Sequence, residues 1–375
     1  MTLVLNGTTG ITNLPSINSG QIGGRRNIVY NGEMKVAQRS TSVAGLGAAS
    51  GYYTLDRWWM QPSGSAGRFT MAQVADGPAG IANCLKLSTT TADTSIATGE
   101  FVLLRQRFEG QDLQQLKKGT ASAEQVTVSF WVKGNAAALY VCELDDQDNS
   151  RSIQQSFAVT TAWNRIELTF AADTAGALDD DNASSLMLGF WLHAGSDYTS
   201  GTFTSNTWAG NVAANRYAVA DRTSIFDSTD RTFFITGVQM EIGSTATDFE
   251  SRSYGEELAL CQRYAIDIAG KSLYGPCGTG FSNSTTIAFI FIPLQFSMRA
   301  TPSLDSSTSA ASLFQLEKAG SLINLTAIAL AGSATASSKG VYLQCSVASG
   351  LTANDFRVLR NNNSATSKII LSAEL

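Results

Sequence analysis

Hydrophobic and polar residues alternate along several segments of this chain, with the two-residue period of a β-strand. In 126–133 apolar residues occupy every second position, and the positions between them carry Thr127, Ser129, Trp131 and Lys133. Segments 165–170, 186–193 and 234–242 alternate in a similar way. Each predicted strand has one aliphatic face, which we expect to pack inward, and one less aliphatic face. Many such strands with turns between them predict an antiparallel β-sandwich.

Strand-like runs also occur near the end of the chain, at 287–292, 322–330, 341–347 and 369–371. Turn residues separate them at short intervals, which predicts a smaller all-β domain. Upstream of this domain, Ser253 and Glu256 fit a capping box, in which each side chain bonds the backbone N–H of the other residue. This pattern predicts one short helix over 254–266.

Composition divides the chain into four parts. Residues 1–26 are poor in charge and rich in Gly, Asn, Thr and Ser, and they are too few for a core of their own. Residues 27–252 contain all 6 tryptophans and the acidic excess. Residues 253–269 form the predicted hinge with its helix, and 270–375 form the C-terminal β-domain. We expect 1–26 to be held by another chain or a larger assembly.

Charge and residue usage narrow the classes of function. The chain has 26 Lys and Arg against 31 Asp and Glu, for a net charge of −5, which argues against a nucleic-acid-binding surface. Its single histidine, His193, excludes a multi-histidine metal centre. The 5 cysteines contain no C-x-x-C pair, which predicts free thiols. No apolar run is long enough for a membrane span, so we expect no membrane insertion.

The tryptophans on the less aliphatic strand faces admit two interpretations. In the first, a loop or a neighbouring subunit covers these faces and the rings are structural. In the second, the rings form the floor of a groove, because indoles stack on the C–H faces of sugars. The glycan-binding candidates in that case are Trp131, Trp191, His193, Tyr198 and Trp208. Trp163 precedes a predicted strand and is interpreted as a packing anchor.

Signals for metals and catalysis are sparse. Acidic turns at 145–149 and 179–181 offer oxygen ligands for calcium, with the candidates Asp146, Asp148, Asp179 and Asp181, but neither turn completes an EF-hand and solvated turns are the alternative. His193 has no Ser or Cys partner in a recognisable motif, and G-x-S-x-G and P-loop motifs are absent. We expect no enzymatic activity and no cofactor, a structural calcium ion being the one exception left open.

Residues 26–39 (RNIVYNGEMKVAQR) with 53–58 (YTLDRW) resemble the opening of a domain common in bacteriophage tail fibre proteins. Residues 237–244 (GVQMEIGS) with 249–257 (FESRSYGEE) resemble its close. Between them, 128–134 and 163–170 are similar to strands of jelly-roll carbohydrate-binding modules, and 296–302 resembles a distal fibre domain. The resemblance covers about 27–265. It implies an all-β fold: a jelly-roll β-sandwich, a short helix and a smaller C-terminal β-sandwich.

The resemblance also implies a virion protein made in the host bacterial cytoplasm, a homotrimer anchored to other tail or capsid proteins through its N-terminus. The anchor residues would be Leu3, Val4, Leu5, Ile11 and Leu14. The implied function is host adhesion through a cell-envelope glycan. The alternatives are a capsid decoration or tail connector protein that binds no glycan and, third, a glycan-degrading tailspike. The chain departs from such fibres in having no long shaft or coiled coil.

Overall fold

The computed structural model describes residues 16–17, 20–21, 25–332 and 336–375. The expected anchor residues Leu3, Val4, Leu5, Ile11 and Leu14 lie outside these residues. The chain folds into two compact units. Among the described residues, the first unit comprises those up to Met34, Ala44–Gly51 and Trp59–Ser251, and the second comprises Lys35–Val43, Tyr52–Trp58 and Arg252–Leu375. The short strands β1 (Ser16–Ile17) and β2 (Gly20–Gln21) pair with each other.

The first unit is a jelly-roll β-sandwich of two six-stranded antiparallel sheets. The front sheet has the order β13-β10-β9-β12-β7-β4, with strands β4 (Trp59–Ser63), β7 (Phe101–Glu109), β9 (Ala138–Asp146), β10 (Arg151–Val159), β12 (Ser184–Ala194) and β13 (Ala209–Gly210). The back sheet has the order β11-β8-β14-β6-β5-β3, with strands β3 (Ser42–Leu46), β5 (Arg68–Val74), β6 (Cys84–Thr91), β8 (Val126–Gly134), β11 (Asn164–Phe170) and β14 (Thr232–Ile242).

Aromatic side chains join the inner faces of the two sheets. Phe130 of the back sheet lies edge-on to Phe157 and Phe190 of the front sheet, with ring centroids 5.0 Å apart in both pairs. Tyr140 and Phe233 make a similar contact across the sandwich at 5.5 Å. All five side chains are buried. Alternation therefore predicted the inward faces of β8 and β12 correctly, and burial of these large rings supplies much of the driving force for the fold.

The second unit contains one helix and two antiparallel sheets. The helix α1 (Tyr254–Gln262) is followed by β15 (Ala265–Asp267), which pairs with β24 (Ile370–Ser372) and through it with β18 (Ser303–Leu304). A seven-stranded sheet has the order β20-β19-β23-β16-β17-β22-β21, with strands β16 (Pro276–Ser282), β17 (Ile287–Pro293), β19 (Phe314–Lys318), β20 (Ser321–Asn324), β21 (Ala327–Leu330), β22 (Gly340–Ser346) and β23 (Phe356–Asn361). Buried residues of both sheets form one apolar cluster.

Two predicted elements of the second unit need correction. The capping box of Ser253 and Glu256 is present, but the helix ends at Gln262 rather than 266, because 265–267 pairs with β24. The predicted run 322–330 is two strands, β20 and β21, which lie at opposite edges of the seven-stranded sheet. The chain also leaves β20 for β21 at Leu325, whose side chain is buried in the apolar cluster.

The division into units differs from the linear division by composition. The segments Lys35–Val43 and Tyr52–Trp58 belong to the second unit, although the sequence places them in the 27–252 domain. Ion pairs give the reason, since Arg39 Nε lies 3.0 Å from Asp305 and Arg57 pairs with Glu374. In the part of the chain that the structure describes, no helix is long and apolar enough to cross a membrane.

Candidate functional site

The outer face of the front sheet carries a row of polar and aromatic side chains. Antiparallel register places Trp59 of β4, Arg105 of β7, Gly189 of β12, Glu143 of β9 and Gln154 of β10 side by side across five strands. Because their strand neighbours point into the core, these side chains share the opposite face. We call this surface the polar face; it also includes Gln61, Arg107, Asp145 and Trp191.

Gly189 lets the long side chain of Arg105 lie across the centre of the polar face. A β-carbon at Gly189 would lie 3.4 Å from both Cγ and Nε of Arg105. From this position Arg105 Nη2 reaches Glu143 Oε2 at 3.6 Å and Asp145 Oδ2 at 3.5 Å. The glycine therefore positions a buried arginine over two carboxylates.

A segment of the β12–β14 connection covers one half of the polar face; we call residues 196–217 the covering segment. Arg216 donates from Nε to Glu143 Oε1 at 2.7 Å and from Nη2 to Glu143 Oε2 at 2.6 Å, and it also pairs with Asp145. The ring of Tyr217 stacks on Trp191 with centroids 6.0 Å apart. Trp191 donates from its indole to Glu143 at 2.9 Å and is only 1% exposed.

Burial, the arginines and the repulsion between the two carboxylates set the pKa values of Glu143 and Asp145. Burial raises the pKa of Glu143, but Arg216, with help from Arg105 and the Trp191 indole, outweighs burial and holds the pKa below its ordinary value. The pKa of Asp145 is raised, first by burial and then by the negative charge of Glu143. Glu143 is therefore the carboxylate that Arg216 holds ionised, and Asp145 is the first of the two to take up a proton.

The other half of the polar face, at the β4 edge, is partly open. Trp59, Gln61 and Arg107 are half-buried, and the Arg107 guanidinium lies 3.9 Å from the centroid of the Trp59 ring. Gln61 Oε1 and Arg105 Nε are buried atoms that have no hydrogen-bond partner among the described residues. An unpaired buried donor or acceptor is costly. This half combines an aromatic ring with two buried polar atoms that lack a partner among the described residues.

The structure places the glycan-binding candidates Trp131 and Trp191 on different sheets. Trp191 and Tyr198 do meet, with centroids 5.3 Å apart, but Trp191 is buried beneath the covering segment. Trp131 lies on β8 of the back sheet, where its ring would contact a β-carbon at Gly237 at 2.9 Å. Trp131 and Trp191 therefore occupy the outer faces of opposite sheets. Trp191 lies on a face that the covering segment covers.

The remaining glycan-binding candidates are His193, which is buried, and Trp208, which lies apart from the polar face. His193 follows Trp191 by two positions on β12 and is fully buried. Trp208 donates from its indole to the Ala171 carbonyl at 2.8 Å and lines a cavity of about 20 Å³, room for no more than a water molecule. Trp163, the predicted packing anchor, lies edge-on to Phe234 at 6.3 Å.

The carboxylates of the two acidic turns, which the sequence offered as calcium ligands, form hydrogen bonds and an ion pair with other protein groups. Asp146 pairs with Lys118, and Asp148 accepts from the backbone N–H of Asp179 at 3.1 Å. Asp179 accepts from Ser185 at 2.8 Å, and Asp181 accepts from the N–H of Ala183 at 2.7 Å. Across 25–332 and 336–375, no three His, Cys, Asp or Glu residues lie close enough together to hold a metal ion.

Sequence reasoning missed Trp59, Gln61, Arg105, Glu143 and Arg216. Alternation along 101–109 does place Arg105 and Arg107 on one face of a strand. The register that sets Arg105 beside Trp59 and across Gly189 from Glu143 joins residues far apart in the chain. No local pattern carries that information.

Comparison with known proteins finds solved structures that are similar to this chain in fold. No protein-family model and no curated protein matches the chain. Similar solved structures include a CBM4 module (13% identity, 56% of this chain and 97% of that one, TM-score 0.30). They also include TmCBM61 in complex with β-1,4-galactotriose (11% identity, 58% of this chain and 99% of that one, TM-score 0.29). A third is the CBM22-1 xylan-binding domain of Paenibacillus barcinonensis Xyn10C (11% identity, 60% of this chain and 100% of that one, TM-score 0.28). Likeness of this degree carries no argument about the ligand.

Proposed function

We propose that this chain binds a polysaccharide through the open half of the polar face and does not cleave its backbone. The observation that carries the proposal is the half-buried Trp59 ring beside Gln61 Oε1 and Arg105 Nε, two buried polar atoms without partners among the described residues. These three side chains lie on adjacent strands, β4 and β7, and in neighbouring register positions.

A sugar has the complementary chemistry. One face of a pyranose ring is made of C–H groups that pack on an indole, while its hydroxyls both donate and accept hydrogen bonds. Because both atoms are buried, a hydroxyl reaches them only after neighbouring side chains move. It would then accept from Arg105 Nε and donate to Gln61 Oε1, which removes the cost of burying those atoms unpaired. Arg107, which lies over Trp59, is the group that a sugar ring would displace or contact.

We further propose that the chain is a bacteriophage tail fibre protein that adheres to a host-surface glycan as a homotrimer, without a cofactor, and that it is located in the virion. The support for this is the resemblance of residues 26–39 and 237–257 to the ends of a tail fibre domain. A capsid decoration or connector protein that binds no glycan is the competing proposal. Localisation of the chain in intact virions by labelled antibody separates tail from capsid.

Affinity electrophoresis of the purified chain through gels containing bacterial envelope polysaccharides tests glycan binding. Trp59→Ala should weaken binding to the retained polysaccharide about tenfold or more, because a stacked aromatic ring contributes on the order of 1 to 3 kcal/mol. Trp131→Ala is the matched control, since that half-buried tryptophan lies on the outer face of the other sheet. Equal losses in the two variants, or no retention of the wild-type chain by any polysaccharide, would contradict the proposal.

A further inference from the structure

The single histidine lies between a carboxylate and a hydroxyl that the sequence could not connect to it. His193 Nδ1 is 2.7 Å from Ser224 Oγ, and His193 Nε2 is 3.3 Å from Glu100 Oε2. His193 and Glu100 are buried, and Ser224 is half-buried. Ser224 is 31 positions from His193 and Glu100 is 93 positions from it, so no spacing motif joins the three.

The protonation states of the three groups determine the direction of these two hydrogen bonds. An ionised carboxylate has no proton to donate, so Nε2 carries the ring proton and donates it to Glu100. In that tautomer Nδ1 is a bare acceptor, and the Ser224 hydroxyl must donate to it. Ser224 Oγ also accepts from the backbone N–H of Phe226 at 2.9 Å. The arrangement is a hydroxyl, an imidazole and a carboxylate in one line, with the serine proton directed at the base.

Ser224 faces a cavity. It lines a space of about 340 Å³ together with Ile96, Ala194, Tyr217 and 221–223. Since Ile96, Asp221 and Arg222 are exposed, the cavity is accessible from solvent. At roughly 30 Å³ for each water molecule, it has room for a short acyl group. Within the described ranges, the backbone N–H of Ser224 donates to no acceptor, which leaves a donor next to the hydroxyl.

We propose that Ser224 is a nucleophile toward short-chain carboxylic esters, with His193 as its general base and Glu100 as the residue that positions the imidazole. Esters of this class occur as acyl substituents on sugars, but Trp59 and Gln61 take no part in this site, which stands independently of glycan binding. The proposal departs from the expectation that the chain is not an enzyme, which rested on the absence of catalytic sequence motifs and on His193 having no serine partner in a recognisable motif.

The reaction balances within these groups and water. The Ser224 Oγ–carbon bond forms as the hydroxyl proton passes to Nδ1 and the carbonyl electron pair moves to oxygen, which the N–H of Ser224 can stabilise. Collapse breaks the ester C–O bond, and the leaving alkoxide takes the proton from Nδ1. A water molecule then gives one proton to Nδ1 as its oxygen attacks the acyl-serine carbonyl carbon. The bond between that carbon and Ser224 Oγ breaks, Oγ takes the proton back from Nδ1, and the carboxylic acid leaves. The ring is used in the opposite sense from the usual triad, with Nδ1 rather than Nε2 facing the nucleophile.

Labelling of the full chain with a fluorophosphonate, followed by intact mass and peptide mapping, tests the nucleophile. The result expected is one adduct on Ser224 that is absent in Ser224→Ala and unchanged in Ser228→Ala, the control at an exposed serine in the same connection. Ser224→Ala should also reduce the hydrolysis of p-nitrophenyl acetate to the rate of buffer. An adduct on another serine, or labelling no faster than in urea-unfolded chain, would overturn the proposal.

The roles of the two partners have their own readout. Glu100→Gln should slow labelling about tenfold or more, because a misoriented base loses part of the 10²- to 10⁴-fold that general-base catalysis contributes. In the wild-type chain, labelling should slow as pH falls and Nδ1 is protonated. Burial lowers the pKa of His193 below 6.5, and the facing carboxylates Glu100 and Asp93 oppose that shift. Should Glu100→Gln fail to fold, this profile alone decides: a rate that does not fall at any pH below 6.5 at which the chain stays folded overturns the role of His193.

Discussion

Glu143 is the residue on which the covered half of the polar face depends. It receives two hydrogen bonds from Arg216 and one from the Trp191 indole. The two bonds from Arg216 attach the covering segment to the front sheet, and the bond from Trp191 joins β12 to β9 within that sheet. Since Glu143 is completely buried, its charge is tolerated only because the arginines neutralise it.

The pKa of Glu143 predicts how the covering segment responds to pH. Because the folded-state pKa lies below 4.5, the ionised form stabilises the folded state above the unfolded-state pKa, and this contribution is lost as pH falls through the lower value. Amide exchange in 196–217, corrected for intrinsic rates, should not increase between about pH 8 and 5, because protonation of Asp145, whose pKa is raised, does not destabilise the folded state. It should increase as pH falls below 4.5 and Glu143 is protonated. Arg216→Ala, the control, should show the faster exchange at every pH; a segment that stays equally protected in Arg216→Ala would contradict this account.

At the level of elements, a glycine bulge shapes β14. The register between β14 and β8 shifts between Thr236 and Gln239, and Gly237 in the gap has φ of +59°. A β-carbon there would lie 2.8 Å from Ile81 and 2.9 Å from Trp131. The bulge therefore needs a residue without a side chain, both for its left-handed backbone and for the two side chains packed over it.

Gly237→Ala should lower the free energy of unfolding by about 1 to 3 kcal/mol, from left-handed strain and crowding together. Gly210→Ala is the matched control, because a β-carbon at Gly210 would meet no atom within 4 Å and should change stability little. Urea unfolding followed by circular dichroism measures both. A loss in the control as large as that in Gly237→Ala would show that glycine removal itself, rather than the bulge, is responsible.

At the scale of the whole chain, a buried charge cluster joins distant segments within the second unit. Glu374 pairs with Arg57 and lies 3.3 Å from Arg39, and both arginine side chains are fully buried. Asp305 and Asp56 are two further carboxylates near Arg39, at 3.0 Å and 4.0 Å. The C-terminal residues thereby hold 35–43 and 52–58, more than 300 positions away in sequence, in the same folded unit.

Glu374→Ala should destabilise the second unit by about 3 to 5 kcal/mol, since it leaves two buried guanidinium groups without their shared counter-charge. Glu317→Ala removes a partly exposed partner of Arg360 and should cost below about 1 kcal/mol. Thermal unfolding monitored by calorimetry distinguishes the two. If Glu374→Ala proved as mild as the control, solvent rather than Glu374 would be compensating the arginines.

The second unit also exposes an aromatic surface that the proposed trimer would explain. Register places Phe356, Phe281 and Phe289 in one row of the seven-stranded sheet and Phe291 beside Tyr342 in the next. Phe356 is 61% exposed and Phe281 is 46% exposed. Contiguous exposed aromatic rings of this kind are typical of surfaces that bind another protein. We take a second copy of this chain as the partner.

If the chain forms the proposed trimer through this surface, the double variant Phe281→Asp and Phe356→Asp should be monomeric, because it would bury two charges in the interface without partners. Light scattering after gel filtration measures the mass, and Val212→Asp, at an exposed apolar residue of the first unit, is the control. A wild-type monomer would refute the trimer, and a trimer that survives the double variant would place its interface elsewhere.

The amino-acid sequence alone was sufficient to predict the local structural features of this protein. The alternation in 126–133 and 186–193 predicted which side chains enter the core, because a strand has a strict two-residue period that needs no knowledge of its neighbours. Ser253 and Glu256 predicted the start of the helix for the same reason, since a capping box closes within four residues. The helix end, the division of 322–330 into two strands and the transfer of 35–43 and 52–58 to the second unit depend on distant partners.

The sequence alone could not predict the candidate sites, because their residues are far apart in the chain and only the tertiary structure brings them together. Trp131 and Trp191 look alike in sequence, yet one lies on the outer face of the back sheet and the other beneath the covering segment. Arg105 meets Glu143 only because β7 and β9 flank β12, and His193 meets Ser224 only because the β12–β14 connection returns to the sheet. The two-residue period of a strand determines which face of the sheet a side chain occupies. The strand register, the order of strands in a sheet and the path of the loops depend on the packing of the whole chain. This packing brings the residues of the candidate sites together.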